Sequence, residues 1–246
     1  MLLRAAVRSD LGLRRPANED AYALAEDLGL YLVADGMGGH TAGQLASRLA
    51  VEGAVRALRT LEGAAASLTE KLRYSVSAAN REVYDTAQAR PQLAGMGTTL
   101  VALLAGSERV ALAHVGDSRA YLIRAGRIRQ LTDDHSLVGE LVRRREISET
   151  AARGHPHRHV LTRALGVRRT VEPDLAELTP RAGDTFVLCS DGLTGHVRDE
   201  EIAEAVAKDA DPGAVCAALV TLANTRGGED NTTVVLVHCE QADGWD

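Results

Sequence analysis

The sequence predicts an α+β protein built in layers, not a doubly wound parallel sheet. Two observations carry that expectation. Short apolar runs of strand length come in groups, with pairs of helically periodic segments between the groups, whereas a doubly wound fold alternates strand and helix strictly. Hydrophobic residues make up 45% and charged residues 25% of the 246, which is enough apolar material for a sizeable core. No stretch reads as a linker, so residues 1–240 are expected to form one domain, followed by a tail at 241–246.

The elements follow in order. Residues 3–8 and 21–25 read as strands, the second after Asn18, Glu19 and Asp20. Leu30, Tyr31, Leu32, Val33 and Ala34 form a buried strand that ends on the carboxylate of Asp35. Gly36, Gly38 and Gly39 then permit close backbone approach or positive φ, and leave the Gly36 carbonyl free to face a ligand. Over 43–60 the period becomes helical, with Ala42, Leu45, Ala46, Leu49 and Gly53 on one stripe and Arg48, Glu52, Arg56 and Arg59 opposite. Ser67 with Glu70 is a capping-box pair that opens a second helix, which stops near Ala89 before Pro91.

Runs at 100–105, 110–115 and 120–124, separated by turn residues, read as a β-meander. Residues 136–145 are helical, and the mixed-charge segment after them completes a flap at about 135–160. Strands are expected at 175–178 and 185–190, the latter again ending on a carboxylate, Asp191. Asp199 as N-cap, with Glu200 and Glu201, opens a helix to Lys208, and Pro212 opens another to about Thr225. The β-branched run 232–239 suits a central strand.

Composition excludes several classes. Net charge is −6 and the basic residues are scattered, so nucleic acid is not an expected partner. Cys189, Cys216 and Cys239 lie far apart without CxxC spacing, which supports neither a disulfide framework nor a thiolate metal site. No apolar run approaches 18 residues, and the N-terminus lacks the apolar core of a signal peptide, so no membrane association and a cytoplasmic location are expected.

The chemistry resides in carboxylates. Asp35, Asp191 and Asp230 each flank a core strand, and acids converging at one end of a sheet repel one another unless cations neutralise them. Oxygen donors without nearby cysteine select Mg²⁺ or Mn²⁺ over Zn²⁺. Two such ions about 3.5–4 Å apart can activate a water and clamp a phosphoryl group in displacement. Asp35, opened on every side by glycine, is the candidate to be shared between them. Recognition of the phosphate is guanidinium chemistry, and Arg15 is the arginine nearest an acidic cluster in the sequence. The alternating His155, His157 and His159 invite a zinc reading, but Pro156 and the charged context argue for solvated flap histidines. His114, in an apolar run, is expected as a hydrogen-bonded core residue rather than a ligand.

Six motifs in order, RPANED at 15–20, ADGMGGH at 34–40, GMGTT at 95–99, HVGDSR at 114–119, SDGL at 190–193 and GEDNT at 228–232, resemble the metal-dependent (PPM, type 2C) serine/threonine protein phosphatases, in their compact bacterial form. The resemblance spans about residues 4–238. It implies a four-layer αββα sandwich, two antiparallel sheets packed centrally with helices outside. It also implies two Mn²⁺ or Mg²⁺ ions, and attack of the water bridging them on phosphoserine or phosphothreonine in proteins phosphorylated by bacterial kinases, by a monomeric enzyme. Carried over residue by residue, Asp35 is the bridging ligand, Gly36 a carbonyl ligand, and Asp191 and Asp230 ligands of the first metal. Asp20 holds water on the second metal with Glu19 as companion, Arg15 binds phosphate, and Asn231 orients Asp230. Asp117 resembles a ligand of a weaker third metal beneath the flap.

Three departures stand out. His159 occupies the place where several bacterial members have a serine near the third metal, and Glu229 precedes Asp230 where proline is common. Met37 stands where animal members have a histidine that serves as general acid, which leaves His40 or a metal-bound water to protonate the leaving group. Two other functions compete: a regulator that dephosphorylates an anti-sigma-factor antagonist, and an inactive phosphoprotein-binding module. The first usually carries sensor domains, and the second is opposed by the intact Asp35, Asp191, Asp230 and Arg15.

Overall fold

A computed structural model describes residues 2–240, the side chain of His40 excepted, so the expected tail at 241–246 lies outside the described residues. In chain order the elements are β1 (Leu2–Asp10), β2 (Asp20–Ala25), β3 (Leu30–Met37), α1 (His40–Arg59), α2 (Leu68–Ala89), β4 (Gly97–Thr98), β5 (Leu100–Ala105) and β6 (Val110–Val115). They continue with β7 (Arg119–Arg124), β8 (Arg127–Gln130), α3 (Leu137–Arg143), α4 (Glu149–Arg153), β9 (Asp174–Leu178), β10 (Thr185–Cys189), α5 (Asp191–Thr194), α6 (Asp199–Lys208), α7 (Pro212–Thr225) and β11 (Thr232–Glu240).

Two antiparallel sheets form the centre, ordered β1-β11-β10-β7-β8 and β2-β3-β5-β6-β9, with β4 paired to β3. Period-two alternation sorts their side chains. Tyr31, Val33, Val101, Leu103, Leu122, Phe186, Leu188, Val235 and Val237 point between the sheets and are almost wholly buried. Each such side chain contributes about 1.5–3 kcal/mol relative to exposure. On the outer face of the second sheet, Leu30, Leu32, Leu100 and Ala102 pack against α1 and α2. On the outer face of the first, Val187, Val234 and Leu236 meet Ile202 of α6 and Val215 and Leu219 of α7. The result is the four-layer αββα sandwich.

The charged stripe of α1, at Arg48, Glu52, Arg56 and Arg59, faces solvent as its period requires. Ser67 caps α2, with its hydroxyl accepting from the Glu70 N–H and the Glu70 carboxylate accepting from the Ser67 N–H. Two expectations need correction, and one strand was not anticipated. Asp35 lies inside β3, which runs on to Met37 because β4 supplies a partner for Gly36 and Met37. Asp199 is the first residue of α6 rather than its cap; the Glu201 carboxylate instead accepts the N–H of Arg198. The strand β8, polar and only four residues long, gave no apolar signal and pairs with β7 across a two-residue turn.

Candidate metal centre

The sheet order brings one end of six strands together. Asp20 begins β2 and sits directly opposite Asp35 of β3 in the antiparallel register. Asp191 follows β10, Asp230 precedes β11, and β10 and β11 are antiparallel neighbours. Asp117 occupies the turn where the chain passes from β6 in one sheet to β7 in the other. The expected carboxylates therefore converge. Arg15, Asp117, Asp191 and Asp230 line the floor of a cleft of about 880 Å³, with His159 also in its lining.

Each acid is held by its backbone or by a hydroxyl. Ser190 donates to Asp20 Oδ2 at 2.7 Å, and the Thr233 hydroxyl bonds the same carboxylate. The Asp35 N–H donates to Thr99 Oγ1 at 2.9 Å, while Thr98 Oγ1 donates to the Asp35 carbonyl at 2.8 Å. Gly36 has no room for a side chain, because an added Cβ would fall on the Gly43 carbonyl oxygen and crowd that of Glu19. Asn231 is buried and clamps the loop between β1 and β2 at three points: its Oδ1 accepts from the Glu19 N–H at 2.8 Å, and its Nδ2 donates to the Leu11 and Ala17 carbonyls. Arg15 donates to Asp230 Oδ2 at 2.5 Å, with its side chain 46% exposed to the cleft. His159 Nδ1 lies 3.8 Å from Asp191 Oδ2, whereas the half-buried His155 and the exposed His157 pack against each other in a turn. His40 opens α1, but its side chain lies outside the described residues.

Crowding sets the protonation. Loss of solvent around Asp20, with the charges of Asp191 and Asp230 nearby, pushes its carboxyl up to about 7 against the pull of its two hydroxyl donors. Asp35 is raised well above the usual carboxylate range by burial and then by Asp20, Asp191, Asp117 and Asp230. Asp117 rises through burial and the charges of Asp191 and Asp134. Asp191 goes down: burial opposes its charge, but the neighbouring His159 and Asp35 outweigh that. Asp35 and Asp191 thus titrate as a pair, the one displaced upward and the other downward.

Two buried oxygens, Asp20 Oδ1 and Asp191 Oδ1, have no hydrogen-bond partner. Orphaned carboxylate oxygens among mutually repelling acids, with no thiolate nearby, fit hard divalent cations. Among the described residues, no three of these aspartate donors lie within 4.8 Å of one another. The set that does meet that distance is His114, His135 and Asp174, away from the cleft floor. His114 donates Nε2–H to the Asp133 carbonyl at 2.9 Å, as expected of a core histidine. Sequence reasoning assigns no role to the supporting hydroxyls of Thr99, Ser118, Ser190 and Thr233, although Ser118 and Ser190 adjoin the motif carboxylates Asp117 and Asp191.

Fold and floor together define the class, a layered αββα hydrolase that works with divalent cations. The model of the protein phosphatase 2C family matches residues 15–222, and the chain belongs to that family. It is 41% identical over 244 residues to the serine/threonine phosphatase stp of Listeria monocytogenes, covering 96% of this chain and 95% of that one. It is 43% identical over 237 residues to the serine/threonine protein phosphatase PstP of Mycobacterium tuberculosis, covering 96% of this chain and 45% of that longer protein. A crystal structure of the M. tuberculosis phosphatase superposes with a TM-score of 0.89 at 41% identity, covering 98% and 100% of the two chains. The catalytic domain of PstP, solved with two manganese ions, superposes at 0.86 with 40% identity over 97% and 99%. Among the described residues, no helix is long and apolar enough to cross a membrane.

Proposed function

We propose that this chain is a phosphoprotein phosphatase that hydrolyses phosphoserine and phosphothreonine with two Mn²⁺ or Mg²⁺ ions, and that residues 1–240 are its catalytic domain with a flap at about 135–160. The observation that carries the reading is the convergence of Asp20, Asp35, Asp191 and Asp230 from both sheets beside a half-exposed arginine. Asp35 would be shared between the ions, with the Gly36 carbonyl beside it. Asp191 and Asp230 would complete the first centre, Asp20 with Glu19 the second, and Asp117 a weaker third. When bound, the ions supply the positive charge that makes a water nucleophilic at phosphorus.

The protein's own groups do the rest. Arg15 offers paired N–H donors to the phosphate oxygens, and Asp230 keeps its guanidinium at the cleft floor until substrate competes for it. Ser190 and Thr233 fix the Asp20 carboxylate so that its orphan oxygen faces inward. Asn231 holds the loop bearing Arg15 against the strand end bearing Asp230. His40, at the start of α1, is the candidate to protonate the leaving serine or threonine oxygen. Kinship with the serine/threonine phosphatases stp and PstP supports a place opposite bacterial serine/threonine kinases. A cytoplasmic monomer is the matching form.

The test is manganese-dependent hydrolysis of p-nitrophenyl phosphate and a phosphothreonine peptide, with Asp191→Ala as control. Turnover in the parent chain and none above background in the variant is expected. Equal rates in the two would overturn the reading, as would a parent chain that binds the peptide without releasing phosphate.

A further inference from the structure

The donor atoms of His114, His135 and Asp174 lie within 4.8 Å of one another, which invites a cation. Their proton positions argue otherwise. A carbonyl only accepts, so His114 Nε2 carries its proton toward Asp133. The Gly116 N–H donates to His135 Nδ1 at 3.1 Å, which places the His135 proton on Nε2, facing Asp174 Oδ2 at 3.2 Å. A cation between His135 and Asp174 would have to expel that proton while Nδ1 still accepts, leaving an imidazolate. Burial and the neighbouring His114 keep His135 neutral, its pKa brought down to about 4, so the contact with Asp174 is a hydrogen bond to a carboxylate rather than an ion pair.

We propose instead that His135, oriented by Asp174, is a positioning residue that sets the turn bearing Asp117 from the root of the flap. The proposal rests on the reading of Asp117 as a ligand of the third, weaker ion. His135 grips both polar groups of Gly116: Nδ1 accepts from its N–H, and the His135 N–H donates to its carbonyl at 2.9 Å. Gly116 has φ of +105°, and an added Cβ would come within 2.6 Å of Thr99 Cγ2, so the turn rests directly on Thr99. Thr99 in turn accepts from the Asp35 N–H and bonds the Ser118 hydroxyl at 2.7 Å. Displacement of the turn would reach Asp117 directly and Asp35 through Thr99.

The same residue is the root of the flap. The His135 carbonyl accepts from the Thr162 N–H at 2.9 Å, Ser136 pairs with Leu161, and the Leu137 N–H donates to the Val160 carbonyl. The chain thus leaves for the flap and returns from it across His135. On the returning side, Arg163 donates to Asp174 Oδ1 and to the Glu172 carbonyl, which fixes the carboxylate that orients the imidazole. The His114 ring, stacked at 4.5 Å and 16°, sets the plane of the His135 ring.

The experiment is calorimetric Mn²⁺ titration with amide hydrogen exchange on His135→Leu, His135→Asn, Asp174→Ala and Asp117→Ala. Asn Oδ1 sits where Nδ1 does and can accept from Gly116. His135→Leu is expected to weaken the third ion by about 10- to 100-fold, the range for groups that hold a ligand in place, while the two tighter ions bind unchanged. Exchange at Gly116 and Thr162 should quicken, and His135→Asn should recover most of both effects. Wild-type titration by His135→Leu while Asp117→Ala loses the ion would overturn the role of His135 alone. Retention of the third ion by Asp117→Ala would overturn the ligand reading, and the positioning role with it. Should His135→Leu fail to fold, Asp174→Ala on the exposed side carries the same test, and a wild-type titration for it overturns the proposal.

Discussion

Ser190 donates its hydroxyl hydrogen bond to Asp20 across the junction of the two sheets, at 2.7 Å, while the same oxygen accepts the N–H of Thr233 at 3.0 Å. One fully buried hydroxyl therefore ties the end of β10 to the start of β2 and to β11. A hydrogen bond to a charged group is worth about 1.5–3 kcal/mol, and Ser190→Ala also leaves a buried N–H unpaired. The variant should lose at least that much in urea denaturation with Mn²⁺ present. A loss below about 0.5 kcal/mol, ordinary for a surface substitution, would mean that the bond does not secure the sheet junction.

The crowded acids give the cation-free protein an unusual pH response. Asp20 titrates at about 7 in the folded chain against an ordinary value of 3.8, so between those limits the native state holds more protons than the unfolded one. Its contribution to stability is complete below about 4 and is lost as pH rises through about 7; the raised Asp35 and Asp117 add in the same direction. In EDTA, Tm should fall over that window, and saturating Mn²⁺ should abolish the fall by replacing the protons. A Tm in EDTA that climbs with pH across the window would contradict the assignment of a net repulsive cluster.

How much of this was legible follows from what each residue does. The convergence of Asp35, Asp191 and Asp230 could be anticipated because each flanks an apolar run; one such strand end alone reads equally as a plain turn, and it is the three together that point to one site. The capping box at Ser67 and Glu70 is legible because it needs only four consecutive residues. By contrast, Ser190 and Thr233 act on Asp20 from more than 150 residues away, and only the pairing of β10 with β11 brings them to it. His135 is silent for the same reason, since its partners Gly116 and Asp174 lie in segments with no local relation to it. The strand β8 escaped because its stability comes from its partner β7 rather than from its own composition.

Gly36→Ala tests the packing behind the proposed carbonyl ligand. The new methyl would strike backbone, the carbonyls of Gly43 and Glu19, which cannot rotate away as a side chain could. Overpacking of this kind costs about 1–3 kcal/mol, and here it also pushes β3 away from α1. A lower Tm together with weaker Mn²⁺ binding is expected. If stability falls while the calorimetric Mn²⁺ affinity is unchanged, Gly36 matters for packing only.

Arg15 and Asn231 separate phosphate recognition from chemistry. Arg15→Ala removes a charge-assisted donor to the phosphate in the ground state, worth about 1.5–3 kcal/mol, or roughly 10- to 100-fold in KM for a phosphopeptide. The kcat should change less. Asn231→Leu leaves Arg15 in the chain but strips the amide that ties the Leu11 and Ala17 carbonyls and the Glu19 N–H together, so the Arg15 loop loses its anchor. It should raise KM in the same direction and, unlike Arg15→Ala, lower Tm, because three buried or half-buried backbone groups lose their partner. In the double variant the KM effects should be far from additive, since both act on one guanidinium. Additive effects on KM, or an Arg15→Ala enzyme with KM unchanged, would mean that the phosphate is held elsewhere in the cleft.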